Sequence, residues 1–271
     1  MGLSHLRAVS AAASPDDYVD FCEAIRRICS IDLLQYKRGQ MERRIRTFAT
    51  TRGHGALPQY LSVLRRDRDE LDRFLDRVTI NVSQLWRHPE QFDVLGRDVL
   101  PDLGRAGRIR AWSAGCSYGA EAFTLAAVCR SVVPRASVAI TGVDIDARMI
   151  ERARTGIFTA GDARSVAPAL MDTWFTKLPD GRFEAVPALR AMCRFEVGDL
   201  LRARPRAGAY DLVMCRNTVI YFNDEVRDAL HARLATALRP GGYLVVGATE
   251  RVADPAGIGL VPTHPFTYRK I

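Results

Sequence analysis

Residues 108–125 read Arg-Ile-Arg-Ala-Trp-Ser-Ala-Gly-Cys-Ser-Tyr-Gly-Ala-Glu-Ala-Phe-Thr-Leu, and they hold the clearest chemistry in the chain. Ile109, Ala111 and Trp112 are apolar and strand-prone, residues 113–119 are mostly small, and residues 121–130 read as a helix with Leu125 and Val128 inward. Glycines in such a loop let the backbone approach a ligand, and the helix start offers unpaired N–H groups. Residues 137–144 read as a second strand that ends in Asp144. Strand, glycine loop, helix, strand and acid is the order of a Rossmann-like nucleotide site, whose acid accepts from ribose hydroxyls.

The same loop spells G-x-S-x-G at residues 115–119, the serine-hydrolase elbow, with Asp211 and His264 following in hydrolase order. A hydrolase elbow lies in a sheet already begun, whereas everything before Arg108 reads as helix. The nucleotide reading is therefore preferred.

Such a site needs further strands beside the first two. Residues 197–200 close a strand with Asp199, placed to meet an adenine amino group, and residues 210–215 form a buried strand leading to Arg216 and Asn217. A helix after Asp146 stops at Gly156, a helix over residues 224–238 ends at Pro240-Gly241-Gly242, residues 243–247 are a strand, and residues 259–271 read as a hairpin. Residues 162–195 depart from this alternation. Trp174-Phe175, a Pro179-Asp180-Gly181 turn, residues 182–186 and residues 192–197 predict short antiparallel strands, hence a β insertion over about residues 162–197.

Ahead of the first strand, residues 1–13 read as disordered and Ser14 as the N-cap of a helix with Pro15 at its first position. Tyr18, Phe21, Cys22, Ile25, Ile28 and Cys29 recur there at helical spacing, a second helix covers residues 37–51, and a third covers residues 57–80. Residues 14–80 thus form a helical domain, and residues 81–107 a connection whose helix begins at Pro89. Trp86 reads as core, Arg87 as part of the connection and His88 as surface. Lys37, Arg38, Arg43, Arg44 and Arg46 give the second helix a basic face with Glu42 as its single acid. That face is either ordinary solvated surface or a dock for an acidic partner; no RNA-binding motif accompanies it.

The 271 residues carry a net charge of +8, which implies an acidic partner or surface. No stretch reads as a membrane span or signal peptide, so a cytoplasmic protein is expected. The six cysteines form no C-x-x-C pair and read as buried thiols, with neither disulfide nor metal site indicated.

Taken together, the segments resemble the CheR-type chemotaxis receptor methyltransferases, over residues 17–268. Residues 81–87 are similar to N-x-T-x-F-F-R, residues 112–121 to W-S-A-x-x-S-T-G-E-E, and residues 215–222 to C-R-N-x-x-I-Y-F. Asp144-Ile-Asp146 followed by Ala153 and Gly156, the run 31–37 and Met41-Glu-Arg-Arg44 also resemble the family. The resemblance implies a Rossmann-like class I methyltransferase sheet (residues 108–271) with an all-helical N-terminal domain and a small antiparallel β insertion. It implies S-adenosylmethionine as cofactor, S-adenosylhomocysteine as product, and receptor glutamates as acceptors.

By the same resemblance Asn81, Ser83 and Arg87 lie against the methionine and sulfonium end, Gly115 and Glu121 flank the amino-acid part, and Asp144 takes the ribose. Asp199 and Leu200 meet the adenine, while Arg216, Asn217 and Tyr221 close the transfer site. Arg87 is expected to orient the acceptor carboxylate and Tyr221 to complete its pocket, with no covalently modified residue and no metal. Ser83, Leu85-Trp86, Tyr118, Ala120 and Asp199 depart from the family pattern and allow a changed acceptor, a small-molecule carboxylate or another protein. The short run 177–182 resembles members that bind no C-terminal peptide tether, so docking on an acidic receptor helix bundle falls to Lys37, Arg38, Arg43, Arg44 and Arg46. A non-catalytic docking module is disfavoured by the retained Arg87, Glu121, Asp144, Arg216 and Tyr221.

Overall fold

The computed structural model describes residues 16–79 and 83–271, which divide into two compact units between Val78 and Thr79. The expectations for residues 1–13, for Ser14 and Pro15, and for Asn81 lie outside the described residues.

The first unit is helical: α1 (Asp17–Cys29), α2 (Arg38–Thr51), α3 (Leu57–Leu64) and α4 (Arg68–Val78). Asp16 is the N-cap of α1, accepting from the Tyr18 and Val19 N–H groups. The single helix expected over residues 57–80 is two helices. The Asp67 carboxylate accepts the Glu70 N–H at 3.0 Å, capping a fresh helix start at a place without glycine or proline. Apolar faces meet around Phe21, Tyr60 and Phe74, with Phe21 edge-on to Phe74 at 5.7 Å. The basic face of α2 is more neutralised than its own sequence suggests: Arg38 pairs with Asp16 and Glu42, and Arg46 with Asp17 and Glu42.

The second unit begins with α5 (Pro89–Val94), a π-helical turn (Leu95–Val99) and α6 (Leu100–Gly104). Pro101 lacks the N–H that a regular helix needs there, which accounts for the π turn. Then follow β1 (Arg108–Ala114), α7 (Ala120–Val132), β2 (Ser137–Asp144), α8 (Ala147–Thr155), β3 (Ile157–Phe158), α9 (Pro168–Trp174), β4 (Phe175–Lys177), β5 (Phe183–Ala185) and α10 (Pro187–Arg190). The chain closes with β6 (Cys193–Val197), β7 (Tyr210–Cys215), α11 (Asp224–Ala237), β8 (Leu238–Val246), β9 (Leu260–His264) and β10 (Thr267–Lys270).

Seven strands form one sheet in the order β6-β2-β1-β7-β8-β10-β9; the first five are parallel, and β10 runs antiparallel to β8 and β9. The β9–β10 hairpin is as expected. The insertion differs in extent: its antiparallel sheet is β3-β5-β4 and begins at Ile157, whereas β6, expected within it, joins the main sheet beside β2. Hydrogen bonds to a parallel neighbour, invisible in the five residues of β6, decide that placement. Likewise β8 starts at Leu238, so Pro240-Gly241-Gly242 forms an irregularity inside the strand and not a stop before it.

Candidate active site

β6, β2, β1 and β7 end together. Ala114 pairs with Val143, Asp144 with Val197, and Ser113 with Met214, so the residues that follow these strands share one edge of the sheet. The chain moves from β1 outward to β2 and β6, then crosses back to β7 on the other side of β1. This reversal opens a crevice at the carboxyl end of β1, where ligands of such sheets bind.

The loop after β1 is held by its own protein. The Gly115 and Cys116 N–H groups donate to the Val143 carbonyl at 2.8 and 3.0 Å. Gly115 has φ +80°, and a Cβ there would lie 2.5 Å from Thr218 Oγ1, so packing alone demands the glycine. Among the described residues no side chain caps α7 at Gly119, which leaves the helix start suited to a ligand's acceptor group.

Asp144 is 9% exposed; its Oδ2 accepts the Ser117 N–H at 2.7 Å and its Oδ1 the Asp146 N–H at 3.0 Å. Burial raises its pKa, and the backbone bonds oppose that. A carboxylate has about four acceptor positions, so two bonds leave capacity for ribose hydroxyls. The Gly198 N–H donates to the Asp144 carbonyl at 2.9 Å, bringing Asp199 and Leu200 beside it. Asp199 itself turns to the Leu201 N–H at 2.8 Å and to Arg202, which limits what it offers an adenine.

Across the crevice lies a buried network. Arg216 donates from Nε to Gln91 Oε1 at 2.7 Å, from Nη1 to Glu121 Oε2 at 3.3 Å, and from Nη2 to the Arg87 carbonyl. Ser113 Oγ donates to Glu121 Oε1 at 2.7 Å, and Gln91 Nε2 to the Val246 carbonyl at 2.9 Å. Burial pushes the Glu121 carboxyl up and the Arg216 guanidinium down, each opposed by the other's charge; Arg87 also acts on both. The network fastens the stretch carrying Arg87 to the sheet edge. Gln91 escaped the sequence analysis, since a glutamine in a short helix gives no signal of a partner 125 residues away.

Glu250 also escaped it. Only 3% exposed, its carboxylate accepts from Asn217, Val219, Ile220 and Gly247 N–H groups at 2.9, 3.0, 3.2 and 2.6 Å. It thereby shapes the turn holding Arg216, Asn217 (φ +57°) and Tyr221, the last in a short helical turn, Val219–Tyr221. Its place just past a strand's carboxyl end was the one available clue.

Trp86 is buried, and its N–H donates to Thr124 Oγ1 at 3.1 Å. The carbonyl of Ser83 accepts from the Tyr118 hydroxyl, so Tyr118 turns to the connecting segment. The hydrolase reading does not hold: Ser117 packs by its N–H on Asp144, Asp211 sits at the start of β7 with Arg110 and Arg239, and His264 Nε2 lies 3.1 Å from Asp98. These three residues are not brought together. Among the described residues no group of His, Cys, Asp or Glu is arranged to hold a metal ion.

Residues 81–262 match the family model described as CheR methyltransferase, SAM binding domain, and residues 16–79 match CheR methyltransferase, all-alpha domain. A chemotaxis protein methyltransferase from Listeria monocytogenes is 32% identical over 256 residues, covering 94% of this chain and 97% of that protein. Chemotaxis protein methyltransferase 1 of Pseudomonas aeruginosa is 30% identical over 250 residues, covering 88% and 91% respectively, and that of Vibrio cholerae is 30% identical over 246 residues, covering 88% and 90%.

Proposed function

This chain belongs to the CheR methyltransferase family, and from that premise we propose that it methylates glutamate side chains of chemoreceptors, giving methyl esters. The donor set fits S-adenosylmethionine: Asp144 has acceptor capacity for a ribose, Glu121 is a carboxylate for the amino group, and the start of α7 suits the carboxylate. When bound, S-adenosylmethionine supplies a methyl carbon on a positively charged sulfur.

The observation that carries the reading is the clamp of Arg216 on the Arg87 carbonyl, which fastens a cationic side chain beside Glu121 at the crevice. Arg87 orients the acceptor carboxylate there, and Tyr221 completes the pocket. A glutamate's reference pKa is roughly 4.3, so near neutral pH the acceptor is already ionised and needs no general base. The protein's contribution is alignment and exclusion of water. Asn81 and Ser83 are assigned to the methionine and sulfonium end of the cofactor, Asn217 to the transfer site, Gly115 with Glu121 to the amino-acid part, and Asp199 with Leu200 to the adenine.

Docking is assigned to α2 against an acidic receptor helix bundle. Because Arg38 and Arg46 already pair with carboxylates, the net charge offered is smaller than five cations. The Leu178 N–H donates to the Arg182 carbonyl at 2.8 Å, closing a tight turn, which supports independence from a peptide tether.

Incubation of the protein with methyl-tritiated S-adenosylmethionine and chemoreceptor membranes tests this. Base-labile label recovered from the receptor as methanol is expected. Label entering only small acids or another protein refutes the receptor as acceptor.

A further inference from the structure

We propose that Tyr118 is a positioning residue that couples the cofactor loop, residues 115–119, to the strap of residues 83–88 that carries Arg87. The inference rests on the acceptor-orienting role given to Arg87 above. Tyr118 is only 3% exposed. Its phenol oxygen meets the Ser83 carbonyl and lies 2.9 Å from Asp162 Oδ1. The Arg152 guanidinium covers the ring, 3.8 Å from its centroid, and also donates from Nη2 to Asp162 Oδ2. Asp162 is held further by the Thr159 N–H at 2.8 Å and the Thr159 hydroxyl at 2.9 Å, and its own carbonyl accepts the Leu85 N–H at 2.9 Å. Tyr118 and Asp162 therefore grip the strap at residues 83 and 85.

The grip matters because of the backbone beyond it. Trp86 has φ +51° and His88 φ +57°, so Arg87 sits between two non-glycine residues in the left-handed region. Each such residue costs roughly 1–2 kcal/mol and persists only where surroundings enforce it. The Tyr118–Asp162–Arg152 cluster enforces it on one side of Arg87, and Arg216 and Gln91 on the other. Burial and the Asp162 carboxylate push the phenol's ionisation upward, so it keeps its proton to donate across the working pH range. Whatever fixes the loop at residues 115–119 then fixes the Ser83 carbonyl, and with it the direction in which Arg87 leaves the strap.

Tyr118→Phe keeps the ring and its contact with Arg152 while removing the hydroxyl; Asp162→Asn weakens the same grip from the other side. Hydrogen exchange of a peptide spanning residues 83–88 is measured with and without S-adenosylhomocysteine. The expected result is at least about tenfold slower exchange at Leu85 and Trp86 when ligand binds wild type, falling to under about threefold in Tyr118→Phe, with ligand Kd changed by less than about threefold. In receptor methylation, kcat per calorimetrically counted site falls about tenfold with little change in the KM for S-adenosylmethionine. A merely structural tyrosine would lower the active fraction and leave kcat per counted site intact. Ligand-dependent exchange and kcat equal to wild type in both variants overturn the proposal. The exchange arm needs no acceptor, so absence of receptor methylation by wild type refutes the receptor reading and leaves the coupling to be judged by exchange alone.

Discussion

Replacing His231 by leucine should remove most of an acid-sensitivity built into the second unit. His231 lies on α11, is 1% exposed, and both of its ring nitrogens are buried without a hydrogen-bond partner among the described residues. Burial lowers its pKa from 6.5 to about 4, with Asp228 opposing and Arg227 reinforcing the shift. In the unfolded chain the ring takes its proton near 6.5, and in the folded protein near 4. Between these values the unfolded state binds more protons, so stability is complete above about pH 6.5 and is lost progressively as pH falls toward 4. For these two values the loss between pH 7.5 and pH 5.0 is about 2 kcal/mol. Leucine has no proton to take and leaves no unpaired ring nitrogen in the core, so it should match or exceed wild type at pH 7.5 and exceed it by a further ~2 kcal/mol at pH 5.0. The three tryptophans, Trp86, Trp112 and Trp174, all lie in the second unit, so their fluorescence during urea unfolding reports on it. Buried carboxyls such as Glu250 titrate alike in both proteins, and the difference between them isolates His231. An equal loss on acidification in wild type and His231→Leu would refute the reasoning, because it would mean that the ring titrates normally in the fold.

Glu250→Gln sets an NH2 group against two N–H donors whichever way the amide turns; a loss of about 2–4 kcal/mol in urea unfolding is expected, together with weaker calorimetric binding of S-adenosylhomocysteine. Asp144→Ala removes the acid assigned to the ribose and also the carboxylate that accepts the Ser117 N–H, so that binding should weaken at least about tenfold; undiminished heat of binding would move the ribose elsewhere. Glu70→Gln breaks the pairing of a buried carboxylate with Arg52, Tyr60 and Arg73 and should destabilise the first unit by about 2 kcal/mol. Arg52 above all lowers the Glu70 pKa, so this contribution is complete above the ordinary carboxylate range and is lost progressively as pH falls below that range toward the lowered folded value; far-UV circular dichroism of urea unfolding at pH 7 and pH 3 checks both the size and the sign.

Local order was legible because it depends on neighbours in the chain. The 3.6-residue spacing in α1, the glycine stop of α8 at Gly156 (φ +65°) and the run of strand, loop, helix and acid from Arg108 to Asp144 each follow from rules reaching a few residues. So did Asp144 and Arg216 as residues at strand ends. The break between α3 and α4 was hidden, because Leu64 and Leu71 keep one helical phase across it and an aspartate cap reads like any surface acid. β6 looked like part of the insertion since a short strand's sequence does not say which neighbour will hydrogen-bond to it.

The sequence by itself determined the family, the helical and α/β units, and the residue types at the crevice. Tertiary structure alone decided what holds those residues in place. Gln91 reaches Arg216 across 125 positions of chain, Glu250 gathers N–H groups from about 30 residues away, and Tyr118 meets Ser83 across 35. A buried polar group must find a partner wherever the fold supplies one. That partner depends on which strand ends come together, which periodicity and composition do not encode.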